Sequence, residues 1–312
     1  RATAAGAAEV GKRATMVARS LAAHRMPAAN LSLYVQEVGA PAPVLAVNAG
    51  GARNPASVMK LLTTLAALEE LGPAYTWKTE AWTTVPVKDG VIEGDLHLKG
   101  YGDPYLVIEH FWRFLRALRR QDVETIRGDL VLDQSHFAPD HRDPGGFDGK
   151  PHQAYNVPPR ALLVNFQTVN LRVVPQPGAR QPLVVADPQP SFLRVENRVQ
   201  QTPGPCRGVW RELGLQQVRE DRVVLSGRYP GNCGPYDFYR VVTETDYYVH
   251  GVFKAVWTEL GGRLEGGVRT GTVPERATLL HAAESPPLAD VVRAINKNSN
   301  NVMTRQLLLT LG

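Results

Sequence analysis

Two short polar patterns carry the chemistry of this sequence. Ser57 and Lys60 stand three positions apart in Asn54-Pro55-Ala56-Ser57-Val58-Met59-Lys60, and at helical spacing a hydroxyl and an amine so placed share one face. Asn54 can cap a helix and Pro55 can fill its first position. The serine is therefore expected at a helix start, where unpaired backbone N–H groups could receive an oxyanion. For Lys60 to take the serine proton its pKa must fall from about 10.4 to roughly 7–8. That shift is about 4 kcal/mol, within reach of desolvation plus a neighbouring cation. The pair predicts a buried pocket with further polar groups closing over it.

The second pattern is Ser299-Asn300-Asn301 on a tight connection between two helical stretches. A hydroxyl and an amide two positions apart can face one pocket, Ser299 relaying a proton to a leaving amine and Asn301 holding a peptide. Other polar groups read as structural. Asp133, His136, Asp140, His141, Asp143 and His152 crowd one segment that reads as a solvated loop rather than a metal site. Asp103 and Asp129 read as residues that shape turns, and Arg269-Thr270-Gly271 as a turn between strands.

The elements that must position these groups are legible from periodicity. Residues 10–24 form an amphipathic helix, and 31–37 and 44–48 a hairpin. A strong helix runs from Asn54 to about Leu71 and is stopped by Gly72-Pro73. Strands follow at 78–84, 95–99 and 129–132, with a helix at about 106–120. A block of short strands and Pro/Gly turns, about 164–230, reads as a small all-β module. Helices return at 246–260, at 287–295 capped by Ser285, and from near Ser299 onward.

Composition narrows the class. The chain has 312 residues, 43% hydrophobic and 21% charged, and a net charge of +5, which fits ordinary globular domains, two or three of them by length. The apolar run 61–68 is too short to cross a bilayer, so no transmembrane segment is expected. The positive charge is scattered, and its densest group, Arg113, Arg116, Arg119 and Arg120, lies on one helix and reads as a solvated face, which argues against a nucleic-acid partner. Cys206 and Cys233 are either free thiols or one disulfide formed in an oxidising compartment. No metal or organic cofactor is implied.

Ser-x-x-Lys followed by Ser-x-Asn is the motif order of penicillin-binding proteins and serine β-lactamases. The segments NPASVMKLLTTLAALEEL (54–71), GDLHLKGYGDP (94–104), GDLVLDQSHF (128–137) and PLADVVRAINKNSNN (287–301) resemble the penicillin-binding protein 4 family of D-Ala-D-Ala carboxypeptidases/endopeptidases, low-molecular-mass class C, peptidase family S13. The 242 positions between Ser57 and Ser299 are similar to that family and unlike a compact β-lactamase.

The resemblance implies an α+β multidomain fold, a β-lactamase/transpeptidase-like α/β domain interrupted by mostly β inserted domains. Residues 1–80 and 240–312 would form the first, 81–163 with about 226–239 a second, and 164–225 a small all-β third. It implies Ser57 as nucleophile, Lys60 as general base, Ser299 as proton relay and Asn301 as substrate-orienting residue. The substrates would be peptidoglycan stem peptides, with β-lactams as acylating ligands and a periplasmic or otherwise secreted location. The family's third motif, Lys-[Ser/Thr]-Gly, does not follow Asn301. We therefore expect a companion C-terminal segment to supply it. The rival expectation is a non-catalytic wall-binding or scaffold protein on the same fold.

Overall fold

The computed structural model describes residues 15–139, 142–206, 208, 212–219 and 221–312. The expected helix at 10–24 falls partly outside them; its described part is helix α1, residues 15–23. The chain divides into two compact units, Arg1–Met59 and Lys60–Gly312, and each is described by itself.

In the first unit, strands Leu33–Val35 and Leu45–Val47 pair antiparallel as the expected hairpin. Asn48 closes it by donating to the carbonyls of Ala28 and Leu31, each at 3.0 Å. The unit ends in the one-turn 3-10 helix Ala56–Val58. Asn54 does act as a cap, its Oδ1 accepting from Ala56 N–H at 2.9 Å. Ala56 has φ +45°, a left-handed conformation costing a side-chain-bearing residue about 1–2 kcal/mol.

The second unit opens with α2, Met59–Leu71, counted from the last residue of the first. A five-stranded sheet follows, in the order Val268–Thr270, Leu130–Asp133, Leu96–Gly100, Lys78–Thr83, Thr278–Glu284. Its first three strands run parallel and the last two antiparallel. The segment 263–284 thus shares its sheets with residues 78–133. The 269–271 stretch is not a turn between strands: Arg269 and Thr270 lie on an edge strand paired with Val131 and Leu132, and Arg269 is held there by Asp95 and Asp129. Pairing with a strand distant in sequence holds the backbone there, which a reading for turn residues does not weigh.

Helix α3, Ile108–Arg119, contributes Phe111, Phe114, Leu115 and Leu118 to the main core. Helix α4, Thr245–Glu259, adds Tyr248, Val252, Phe253 and Trp257. The arginines of α3 do not all face water. Arg119 folds over Trp257, 5.6 Å from the ring centroid, and donates to the carbonyls of Leu260 and Val123. Its aliphatic stem covers apolar surface while its head meets orphaned carbonyls.

The β module holds two three-stranded sheets. One is antiparallel, with Val169–Val174 between Leu183–Asp187 and Tyr236–Arg240. In the other, Arg222–Pro230 lies between Arg194–Thr202 and Leu213–Arg219. Cys206 and Cys233 are joined in a disulfide, their Cα atoms 5.5 Å apart. Near the sheet's exit, Gly100 passes so close to the backbone of Ala161 and Leu162 that a Cβ would sit 2.2 Å from the Ala161 carbonyl oxygen. This brings the segment 156–164 against the main sheet.

Helices α5, Leu288–Asn298, and α6, Asn301–Leu311, complete the unit. With α2 they enclose a second core of Ala67, Trp77, Leu288, Val291, Ile295, Met303 and Leu307. Ser285 does not cap α5; its hydroxyl accepts from Trp77 N–H and donates to the Pro286 carbonyl. Asp290 sits in the uncapped first turn, where the helix dipole favours a carboxylate.

Candidate active site

Helix α2 carries Lys60 in its first turn, and the packing of Ala67 into the second core fixes which face turns inward. Lys60, Thr64 and Ala67 are the buried residues of this helix, at the i, i+4, i+7 spacing of one stripe. Lys60 is only 8% exposed. Its pKa is lowered, first by burial and then by the positive charge of Arg305. Both causes disfavour the ammonium and favour the free amine, the state a general base requires.

Arg305 lies on α6, four residues after Asn301 and so on the same helix face. It also donates to the carbonyls of Tyr155 and Val157, at 3.0 and 3.4 Å. α5 meets α2 through Asn296, whose amide donates to Thr64 Oγ1 at 3.3 Å.

The connection between α5 and α6 is one sharp step. Ser299 has φ +51°, ending α5 in the left-handed region. Asn300 starts α6 as its cap, Oδ1 accepting from Met303 N–H at 3.0 Å. Asn301 is the first residue of α6 and half-buried, while Ser299 is exposed. The middle residue of Ser299-Asn300-Asn301 is thus spent locally, on capping the helix.

Ser57 belongs to the first unit, exposed on the 3-10 turn. Lys60, Ser299 and Asn301 belong to the second. Within the second unit Lys60 is brought near Arg305 of the Ser-x-Asn helix.

Two aspartates of the polar stretch 133–152, Asp133 and Asp148, are held by hydrogen-bond donors. Asp133 accepts from the N–H groups of Ser135 and Val273 at 2.9 and 2.8 Å; against the effect of burial its pKa is held low first by the Ser135 hydroxyl and then by these two backbone bonds. Asp140 and His141 lie outside the described residues. Further along, Asp148 accepts from Tyr155 Oη and Asn156 Nδ2 at 2.6 and 2.8 Å, closing the loop whose end Arg305 braces.

Arg305 and Gln306 were missed by the reading of motifs alone. Their signal was positional: Arg305 repeats the face of Asn301, but nothing in the sequence says that α2 lies opposite.

Residues 13–312 match the D-Ala-D-Ala carboxypeptidase 3 (S13) family. The chain belongs to that family. It is 28% identical over 268 residues to a D-alanyl-D-alanine carboxypeptidase of Actinomadura sp. (strain R39), covering 83% of this chain and 49% of the relative. It is 23% identical over 252 residues to the D-alanyl-D-alanine carboxypeptidase DacB of Haemophilus influenzae, covering 81% and 52%. This S13 chain therefore spans about half the length of the curated relatives it matches. Its fold is that of penicillin binding protein 4 (dacB) from Haemophilus influenzae, with a TM-score of 0.67 at 23% identity over 86% of this chain and 59% of the other. An α+β multidomain architecture accounts for the several separate sheets and the helices around them.

Proposed function

We propose that this protein is a serine D-Ala-D-Ala carboxypeptidase/endopeptidase that works on peptidoglycan stem peptides through an acyl-enzyme and is acylated by penicillin. Ser57 Oγ attacks the carbonyl carbon of the penultimate D-alanine while Lys60 Nζ takes the hydroxyl proton. Backbone N–H of Ser57 receives part of the oxyanion charge. The C–N bond then breaks, Ser299 passing a proton to the departing amine, and Asn301 orients the peptide. Water releases the acyl group and restores Ser57. Cutting a cross-link repeats these steps with a longer leaving amine.

The observation that carries this reading is Lys60. A lysine 8% exposed, with a cation nearby and a lowered pKa, is an awkward element of stability and a useful one for proton abstraction. Its place three residues after Ser57, in the Ser-x-x-Lys pattern, supports the assignment. The disulfide supports an oxidising, extracytoplasmic location, and among the described residues no helix is long and apolar enough to cross a membrane.

A companion segment bearing Lys-[Ser/Thr]-Gly belongs to the same proposal. Leu61, Leu62 and Leu65 of α2 are 55–62% exposed, a contiguous apolar strip that a covering strand would bury at about 1.5–3 kcal/mol per leucine. The relatives' additional length supplies chain for it. We assign 1–80 and 240–312 to the transpeptidase-like domain, 81–163 to the second and 164–225 to the third, with 263–284 counted instead with 81–163 and 226–239 with the third, because they pair there.

Incubation of the full-length protein with a fluorescent penicillin tests the assignment. Covalent label should map to Ser57 and vanish in Ser57→Ala. Equal labelling of the variant would refute it, and absence of both labelling and D-alanine release in the intact protein would favour a non-catalytic wall-binding role.

A further inference from the structure

The antiparallel sheet of the β module presents an ordered row of side chains. Asp187, Asn170 and Tyr239 stand directly opposite one another across its three strands. Paired residues point to the same face. Val169, Leu171 and Val173 are buried in the core on the other face, so this row looks outward.

The start of α3 closes over the row. Tyr105, Glu109 and His110 line, with Asp187 and Tyr239, a cavity of about 460 Å³, within the range of small-molecule sites. The Tyr105 and His110 rings meet edge to face at 5.6 Å, and Tyr239 is 52% exposed.

The polar groups here are mostly acceptors. No ion pair engages Glu109 or Asp187 among the described residues. His110 Nδ1 lies 3.1 Å from the Tyr105 carbonyl, and since a carbonyl only accepts, that nitrogen carries a proton and is already spent. Asn165 and Asn170 are already spent on backbone and side-chain partners. A fitting ligand must bring hydrogen-bond donors on its rim and C–H faces for the tyrosine rings. A net cation fits less well, because the N-terminal turn of α3 borders the cavity through Val107 and Ile108 and its dipole already offsets the carboxylates.

Away from the cavity the same sheet face continues through exposed Val185 and Leu183. The surface suits an extended chain rather than a single compact molecule.

We propose that this cleft binds a saccharide, namely the N-acetylated glycan strand of peptidoglycan; naming that glycan rests on the substrate reading above. Its contribution is avidity: a hold on the glycan raises the effective concentration of attached stem peptides at the catalytic motifs.

Titration of the full-length protein with a β-1,4-linked N-acetylglucosamine tetramer, followed by calorimetry, tests this. Binding should be measurable in the wild type and weakened at least tenfold in Tyr239→Ala and in Asp187→Asn. Both variants should keep the wild-type urea midpoint and full penicillin labelling of Ser57. No binding to the wild type, or equal binding by all three proteins, overturns the cleft. So does tetralysine binding that depends on Asp187 while the sugar does not bind. Tetramer binding that depends on Tyr239 in a protein unlabelled by penicillin would sink the catalytic reading and uphold the cleft.

Discussion

The side chain of Gln306 pairs with the backbone of Arg160 as one strand pairs with another: Arg160 N–H donates to Oε1 and Nε2 donates to the Arg160 carbonyl, both at 2.8 Å. Gln306 is fully buried and lies five residues beyond Asn301, so α6 and the segment 156–164 are tied at the level of the Ser-x-Asn motif. Replacing Gln306 with Ala would orphan two backbone groups. Each orphaned buried group costs about 1–3 kcal/mol, and we expect a loss of roughly 2–4 kcal/mol in urea denaturation. Gln306→Glu should lose at least as much at neutral pH, since a buried carboxylate would set a second acceptor against the Arg160 carbonyl.

Arg305 acts on Lys60 through charge, and the effect has a sign. Its guanidinium lowers the Lys60 pKa, so its removal should let that pKa rise. In Arg305→Gln the ascending limb of the penicillin acylation rate against pH should move to more alkaline pH. A limb that stays in place would show that burial alone sets the amine's titration.

Asp103 is 5% exposed and its pKa is raised to about 7 by burial, only partly countered by the hydrogen bond from Tyr105 N–H. The folded protein therefore holds a proton between about pH 4 and 7 that the unfolded chain has lost. Stability falls as pH rises through this window, by on the order of 4 kcal/mol for this group in full. Asp103→Asn keeps an acceptor for Tyr105 N–H and should flatten that slope. Urea midpoints from pH 4 to 8 for both proteins measure it.

The disulfide closes a separation of 27 residues. Loop-closure entropy gives such a bridge about 3.5 kcal/mol. The Cys206→Ser/Cys233→Ser double variant should lose up to that amount, as should the wild type in reductant. Penicillin labelling should survive at temperatures where the variant remains folded, since the bridge lies in the β module.

Much of this protein follows from local rules that act within a few residues. The Asn54 cap, the stripe of α2, the hairpin at 33–47, the order of the two motifs and the family itself are decided by neighbours three or four positions apart or by short runs of residues. Long-range pairing decided the rest. The short strands 213–219, 236–240 and 263–264 exist because other strands pair with them, and Arg269-Thr270 became strand for the same reason. Arg119 left the solvated face of α3 because Trp257 and two unpaired carbonyls came within its reach. The sequence placed a lysine three residues after a serine, but a lysine's pKa depends on the dielectric and charge around it. Only the packing of α2 against α5 and α6 could surround Lys60 with buried groups and set Arg305 nearby, because those residues come from opposite ends of the chain.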